Sequence, residues 1–181
     1  MIDRTPYNQT SLKEIIEPII ISSWSGYTED EIVKKVVDVI RTSLQTNRFT
    51  VLVGFNLLRF DIPLLICKSL CNTIEEKAEL SKMWYDCFSI DIMQQMLLLN
   101  NNRFKGCSVF NIIRVCRELG LNPPSYESRG SDISDMCKNK EYEKIERHLI
   151  QDLNLARWFD LEGTQKLTKL YVETGRPLFY Q

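Results

Sequence analysis

Residues 49–55, FTVLVGF, form a short unbroken apolar run. A strand wet on one face alternates apolar and polar residues, so a run without alternation reads as a strand covered on both faces. Such a strand needs helices on each side. The sequence before it, TEDEIVKKVVDVIRTSL, places Ile32, Val33, Val36, Val37 and Ile40 at helical spacing, with Thr28 as N-cap and Glu31 three residues on in capping-box position. The sequence after it predicts a helix that begins near Pro63, a residue suited to a first helical turn, and runs through LLICKSLCNTI.

The remaining pattern repeats this alternation. Residues 19–21, three isoleucines within LKEIIEPIIISSW, read as a strand that Gly26 ends. MWYDCFSIDIMQQMLLL reads as a strand passing into a helix, with Asp91 near the join. CSVFNIIRVCRELG is amphipathic, with Val109, Ile112, Ile113, Cys116 and Leu119 on one face and Gly120 as the stop. LNPPSYESRGSDISD is loop-rich, and KEYEKIERHLIQDLNLARWFDLEGTQKLTKLY reads as a helix of several turns whose apolar positions are Ile145, Leu149, Leu153, Ala156, Trp158 and Phe159. Strands alternating with helices predict an α/β fold. The 181 residues suit one domain, 1–181, with a single core.

The formal net charge of −1 gives no overall basic field, although a local carboxylate site that holds metal can still bind nucleic acid. No apolar stretch reaches the roughly 18 to 20 residues of a membrane span. The polar opening MIDRTPYNQT does not read as a secretory leader. Cys67, Cys71, Cys87, Cys107, Cys116 and Cys137 are scattered and make no C-x-x-C pair. They read as free thiols of a reducing compartment, which makes the expected location cytoplasmic. His148 is the only histidine, so any imidazole chemistry must use it.

Two stretches carry candidate chemistry. In VGFNLLRFDIPLL, Asn56 and Asp61 lie beyond the carboxyl end of the expected strand, where α/β sheets gather functional groups. A turn-forming Asn and a helix-start Asp are equally common structural devices. In ERHLIQD, His148 and Asp152 are four apart and share a helix face beside the apolar stripe, or form a plain surface pair. Asp91 reads as a helix cap or as a neighbour of a metal site. In NNNRFKG, Arg103 and Lys105 flank Phe104, which suits single-stranded nucleic acid, although a solvated loop is the preferred reading. Arg114 and Arg117 read as solvated.

Together these pieces resemble the DEDD-type 3′–5′ exonucleases of the ribonuclease H-like fold, and are most similar to the exonuclease domain of family B DNA polymerases and its stand-alone relatives. The resemblance runs from about residue 18 to residue 159. VGFNLLRFDIPLL matches the second motif, Asn-x-x-x-Phe-Asp with Pro two residues on. SIDIMQQML is similar to the family's Asp-Leu-Met strand exit. GSDISDMCKNKEYEKIERHLIQDLNLARWF is similar to the third segment, a loop and then a helix carrying Tyr-x-x-x-Asp.

The resemblance implies a mixed sheet flanked by helices and hydrolysis of terminal phosphodiesters in single-stranded DNA or RNA, releasing nucleoside monophosphates. In such sites carboxylates hold two divalent ions about 3.5 to 4 Å apart. Hard oxygen ligands suit Mg²⁺ or Mn²⁺. By resemblance, Asp61 and Asp152 are metal ligands and Asn56 and Phe60 contact the strand, with a core role preferred for Phe60. His148 stands where the polymerase-like members have tyrosine. It would orient or deprotonate water, or it marks a site that has drifted.

The first motif, Asp-x-Glu, departs most. In MIDRTPY, Asp3 stands for the Asp with Thr5 in place of the Glu, or for the Glu with Met1 in place of the Asp. Asp3 is then the third expected ligand, and most of the first, central strand is missing. The expectations that follow are a longer natural chain, a partner chain or dimer covering the exposed sheet edge, Glu14 or Glu17 as substitute ligand, or an inactive exonuclease fold used as a nucleic-acid-binding or assembly subunit. An unrelated α/β hydrolase reading finds no Gly-x-Ser-x-Gly elbow in support.

Overall fold

The computed structural model describes residues 18–46, 50–71, 77–127 and 129–179. Its elements run α1 (Glu29–Thr46), β1 (Val51–Gly54), α2 (Asp61–Cys71), α3 (Lys77–Asp86), β2 (Phe88–Asp91), α4 (Ile92–Leu98), α5 (Val109–Glu118), α6 (Ile133–Lys138), α7 (Tyr142–Trp158) and α8 (Thr164–Thr174). β1 and β2 pair in parallel, from Val51 opposite Phe88 to Gly54 opposite Asp91. A parallel pair cannot be joined by a tight hairpin, and α2 and α3 make the crossover.

Successive β1 side chains enter opposite layers. Leu52 packs against Val33, Val37, Ile40, Leu80 and Met83, the buried residues of α1 and α3. Val53 packs against a larger cluster built on α4, α5, α7 and α8, with Ile92, Met96, Ile112, Cys116, Leu155 and Leu167 among its members. Helices on both faces explain why β1 has no polar alternation. α1 starts as expected: Thr28 N–H donates to Glu31 Oε2 at 2.8 Å and Glu31 N–H donates back to Thr28 Oγ1 at 3.3 Å. Gly120, at φ 76°, stops α5, and its N–H donates to Arg117 O at 3.0 Å.

The sheet is smaller than expected. The described residues hold these two parallel strands and no larger mixed sheet, so the chain is α/β and mostly helical. Residues 18–22 carry no regular structure, and a 3₁₀ turn, Ser23–Ser25, follows them. β-branched residues favour extended backbone, but a strand exists only with a ladder partner, and the described residues pair nothing with the three isoleucines.

The expected long last helix is broken. α7 passes through a π turn, Phe159–Gly163, into α8. Trp158 sits so close that a Cβ on Gly163 would lie 2.5 Å from its ring. The buried stripe of α7 also differs from the expected one. It includes Ile145, His148, Leu155 and Trp158, whereas Leu149 and Leu153 are 42% and 56% exposed. Both stripes satisfy a 3.6-residue period, and only packing chooses between them.

Cys67, Cys87, Cys107, Cys116 and Cys137 carry free thiols. Burial pushes the Cys116 thiol up to about 12. Among the described residues no helix is long and apolar enough to cross a membrane.

Candidate active site

Asp91 closes β2 opposite Gly54, and its carboxylate is buried. Oδ1 accepts from the backbone N–H of Asn56 at 3.0 Å and of Met93 at 2.9 Å. Oδ2 accepts from Leu58 N–H at 3.0 Å. One side chain therefore caps α4 and also shapes the turn that leaves β1. Asn56 takes φ 64° in that turn, a left-handed conformation that Asn adopts more readily than most residues. The turn delivers Asp61 to the first position of α2, with Pro63 in the first turn behind it.

Asp61 lines a cleft of about 1400 Å³ walled by residues 19–22, β1, α5 and α7. Asp152 and His148 line the same cleft from α7. Partial burial raises the Asp61 carboxyl above its ordinary value. The negative charges of Asp91 and Asp152 push the same way, and a bond to its own backbone opposes them. Two separate segments thus bring like charges to one place.

His148 is 4% exposed. Its Nε2 lies 3.4 Å from Asp152 Oδ2, one turn away on α7. Tyr126 completes the group, and the sequence reading missed it. Burial raises the phenol's pKa, and the neighbouring Asp152 carboxylate pushes the same way. Its ring lies 5.6 Å from His148, tilted by 56°. In sequence Tyr126 is one aromatic in a Pro-rich loop, and no spacing rule links it to Asp152.

Other expected residues fall differently. Phe60 is 60% exposed, so it is not core. It follows a turn that directs its neighbour Asp61 to the cleft and leaves the ring outside the packed layers. Asn56 bonds Asp91 through its backbone N–H, a turn role. Asp3, Glu14, Glu17 and the whole first-motif region lie outside the described residues. Asn100 is buried and its amide donates to Arg103 O at 2.7 Å and Lys105 O at 3.0 Å, so the NNNRFKG loop is stapled by its own asparagine. Arg114 and Arg117 line the cleft instead of facing only solvent, and Arg114 pairs with Glu118 at 2.5 Å.

No protein-family model matches this chain, and neither a curated protein nor a solved structure is significantly similar to it.

The described residues fit a divalent cation only in part. Asp91 has both oxygens committed to backbone donors, and of the carboxylates that line the cleft Glu118 pairs with Arg114, which leaves Asp61 and Asp152. Two like-charged oxygen donors facing one space suit a hard cation between them. Among the described residues no group of three or more His, Cys, Asp or Glu is arranged to hold a metal ion. A four-carboxylate, two-ion set is therefore not assembled from these residues.

Proposed function

We propose that this cleft hydrolyses terminal phosphodiesters of single-stranded DNA or RNA, from the 3′ end, with Mg²⁺ or Mn²⁺. One observation carries the reading: Asp61 and Asp152, from distant stretches of chain, line one cleft with His148 held beside Asp152 at 3.4 Å. The resemblance of the two motifs that carry these residues supports the reaction class. Asp61 and Asp152 would hold the cation, which when bound neutralises charge on the phosphate. His148 would orient the attacking water and take its proton. Arg114 and Arg117, on the cleft wall, would draw the phosphate backbone in. Free thiols fit a cytoplasmic setting.

The test is digestion of 5′-labelled single strands with Mn²⁺ or Mg²⁺. Strands should shorten from the 3′ end, and Asp152→Ala should slow shortening at least about a hundredfold, the scale of losing a group that acts in the transition state. Undiminished activity in Asp152→Ala would end this reading.

A second reading, a non-catalytic nucleic-acid-binding or assembly subunit, is favoured by β1. Among the described residues the edge of β1 away from β2 has no strand partner, and open edges pair with other chains. A chain that binds labelled strands without shortening them, and sediments at twice its own mass, would fit that role.

A further inference from the structure

We propose that Phe110, Tyr126 and Arg129 form a stacking subsite for a base of a single-stranded nucleic acid, with Arg117 and Arg129 holding the adjoining phosphates; the proposal deepens the hydrolase reading and rests on it. α5 carries Phe110, Arg114 and Arg117 at positions i, i+4 and i+7, so one helix face turns all three to the cleft. Phe110 is 40% exposed, an aromatic ring that the core does not use. Rings and a guanidinium follow one another along this wall. The His148 ring lies 5.6 Å from that of Tyr126, Tyr126 meets Phe110 edge-on at 5.9 Å, and the Arg129 guanidinium lies 5.3 Å over the Phe110 ring. The series begins at the imidazole that pairs with Asp152, so a strand whose end lies at the carboxylates would pass the rings.

Charge and flatness together choose the ligand. Arg114 already pairs with Glu118 at 2.5 Å and donates to Asn111 Oδ1 at 2.7 Å. Among the described residues no carboxylate pairs with Arg117 or Arg129, so two positive charges on the cleft wall lack a counter-charge. An apolar ligand would leave them so. An acidic peptide would answer the charges but offer no plane to the rings. A nucleotide strand supplies both, a π-face for a ring or guanidinium and a phosphate for each charge. The loop that carries Tyr126 and Arg129 is fixed at two points. Glu127 N–H donates to Gln151 Oε1 on α7 at 3.2 Å, and Arg129 N–H donates to Asp132 Oδ2 at 3.1 Å.

The test is fluorescence anisotropy of two short labelled strands, one an oligothymidylate and one abasic, with Ca²⁺, a hard cation that fills oxygen sites. Phe110→Ala should bind the thymidylate strand about tenfold more weakly and the abasic strand as the wild type does. Phe110→Leu, which keeps the apolar bulk and so the fold, should show the same selective loss. Arg117→Gln and Arg129→Gln should each lower the slope of log affinity against log salt by about 0.7, the contribution of one single-strand phosphate. Phe104 offers the same chemistry outside the cleft lining, with the Arg59 guanidinium 4.8 Å over its ring, and Phe104→Ala should change nothing. Undiminished binding by both Phe110 variants, an equal loss on the abasic strand or in Phe104→Ala, or unchanged salt slopes overturn the proposal. A wild type that shortens strands in Mn²⁺ with an affinity indifferent to Phe110 keeps the hydrolase reading and loses this subsite. Binding that depends on Phe110 without any shortening removes the hydrolase reading and leaves the subsite standing. A wild type that binds neither strand removes both.

Discussion

His148 and Asp152 stand one helical turn apart on α7 with 3.4 Å between Nε2 and Oδ2, the imidazole buried and the carboxylate open to the cleft. The pair is an interior group reaching an accessible one, so a chemical event in the cleft is felt at a rigid position. Its supports divide into residues that hold the fold and residues that serve the cleft, and substitutions should separate the two.

Asp91 belongs to the first kind. It satisfies three backbone donors from two segments while buried. Asp91→Ala should cost about 3 kcal/mol or more, from the lost cap and the orphaned N–H groups. Urea unfolding followed by circular dichroism measures it. A cost below about 1 kcal/mol would show that water replaces the carboxylate.

Asp61 belongs to the second. Its carboxyl is raised in the folded chain by burial and by Asp91 and Asp152. For an acid with a raised folded value the native state binds more protons than the unfolded one, so stability falls as pH rises from the unfolded carboxylate range, about 3.9, through the folded value, and the loss persists above it. Asp61→Asn should therefore melt higher than the wild type at neutral pH, by a small margin because the group is partly exposed, and the difference should fade near pH 3. Equal melting across the whole range would show that folding does not raise the Asp61 carboxyl. On the proposed hydrolase reading the same variant should also lose strand shortening, an expected opposition of stability and activity.

Phe60 discriminates contact from packing. With 60% of its surface exposed, Phe60→Ala should change stability by less than about 0.5 kcal/mol. If the ring stacks on a base, single-strand affinity should fall about tenfold, as fluorescence anisotropy would read. Unaltered affinity would leave Phe60 without a role at the cleft.

Gly163 tests the π turn. A Cβ there would meet Trp158 at 2.5 and 2.6 Å and Phe159 at 3.0 Å. Gly163→Ala should destabilise by about 1 to 3 kcal/mol, visible as a lower melting temperature. An unchanged melting temperature would mean that the aromatic pair yields without cost.

Much of the local architecture was legible in the residues. The unbroken run before Gly54 announced a strand covered on both faces, and Leu52 and Val53 do enter opposite helical layers. Thr28 and Glu31 announced their cap, Gly120 its stop, and Asp91 its capping role. Each of these is settled within a few residues, by hydrogen bonds and sterics that neighbours in sequence decide. Asp61, His148 and Asp152 were picked out by type and spacing, and the cleft does gather them.

What the sequence could not decide is whatever needs a distant partner. Isoleucines at 19–21 promised a strand, but pairing is a property of two segments, and the described residues give them no ladder. Two apolar stripes on α7 fitted the same period, and only the layer packed against it made His148 interior while Leu149 and Leu153 faced the cleft. Tyr126 had no local signal because its place at the cleft depends on a loop meeting α7, where its ring lies 5.6 Å from that of His148. The sequence by itself determined the caps, the covered strand and the chemical types available. The tertiary structure decided which face of α7 is buried and which tyrosine packs beside His148, because long-range burial selects among local patterns that are equally good on their own.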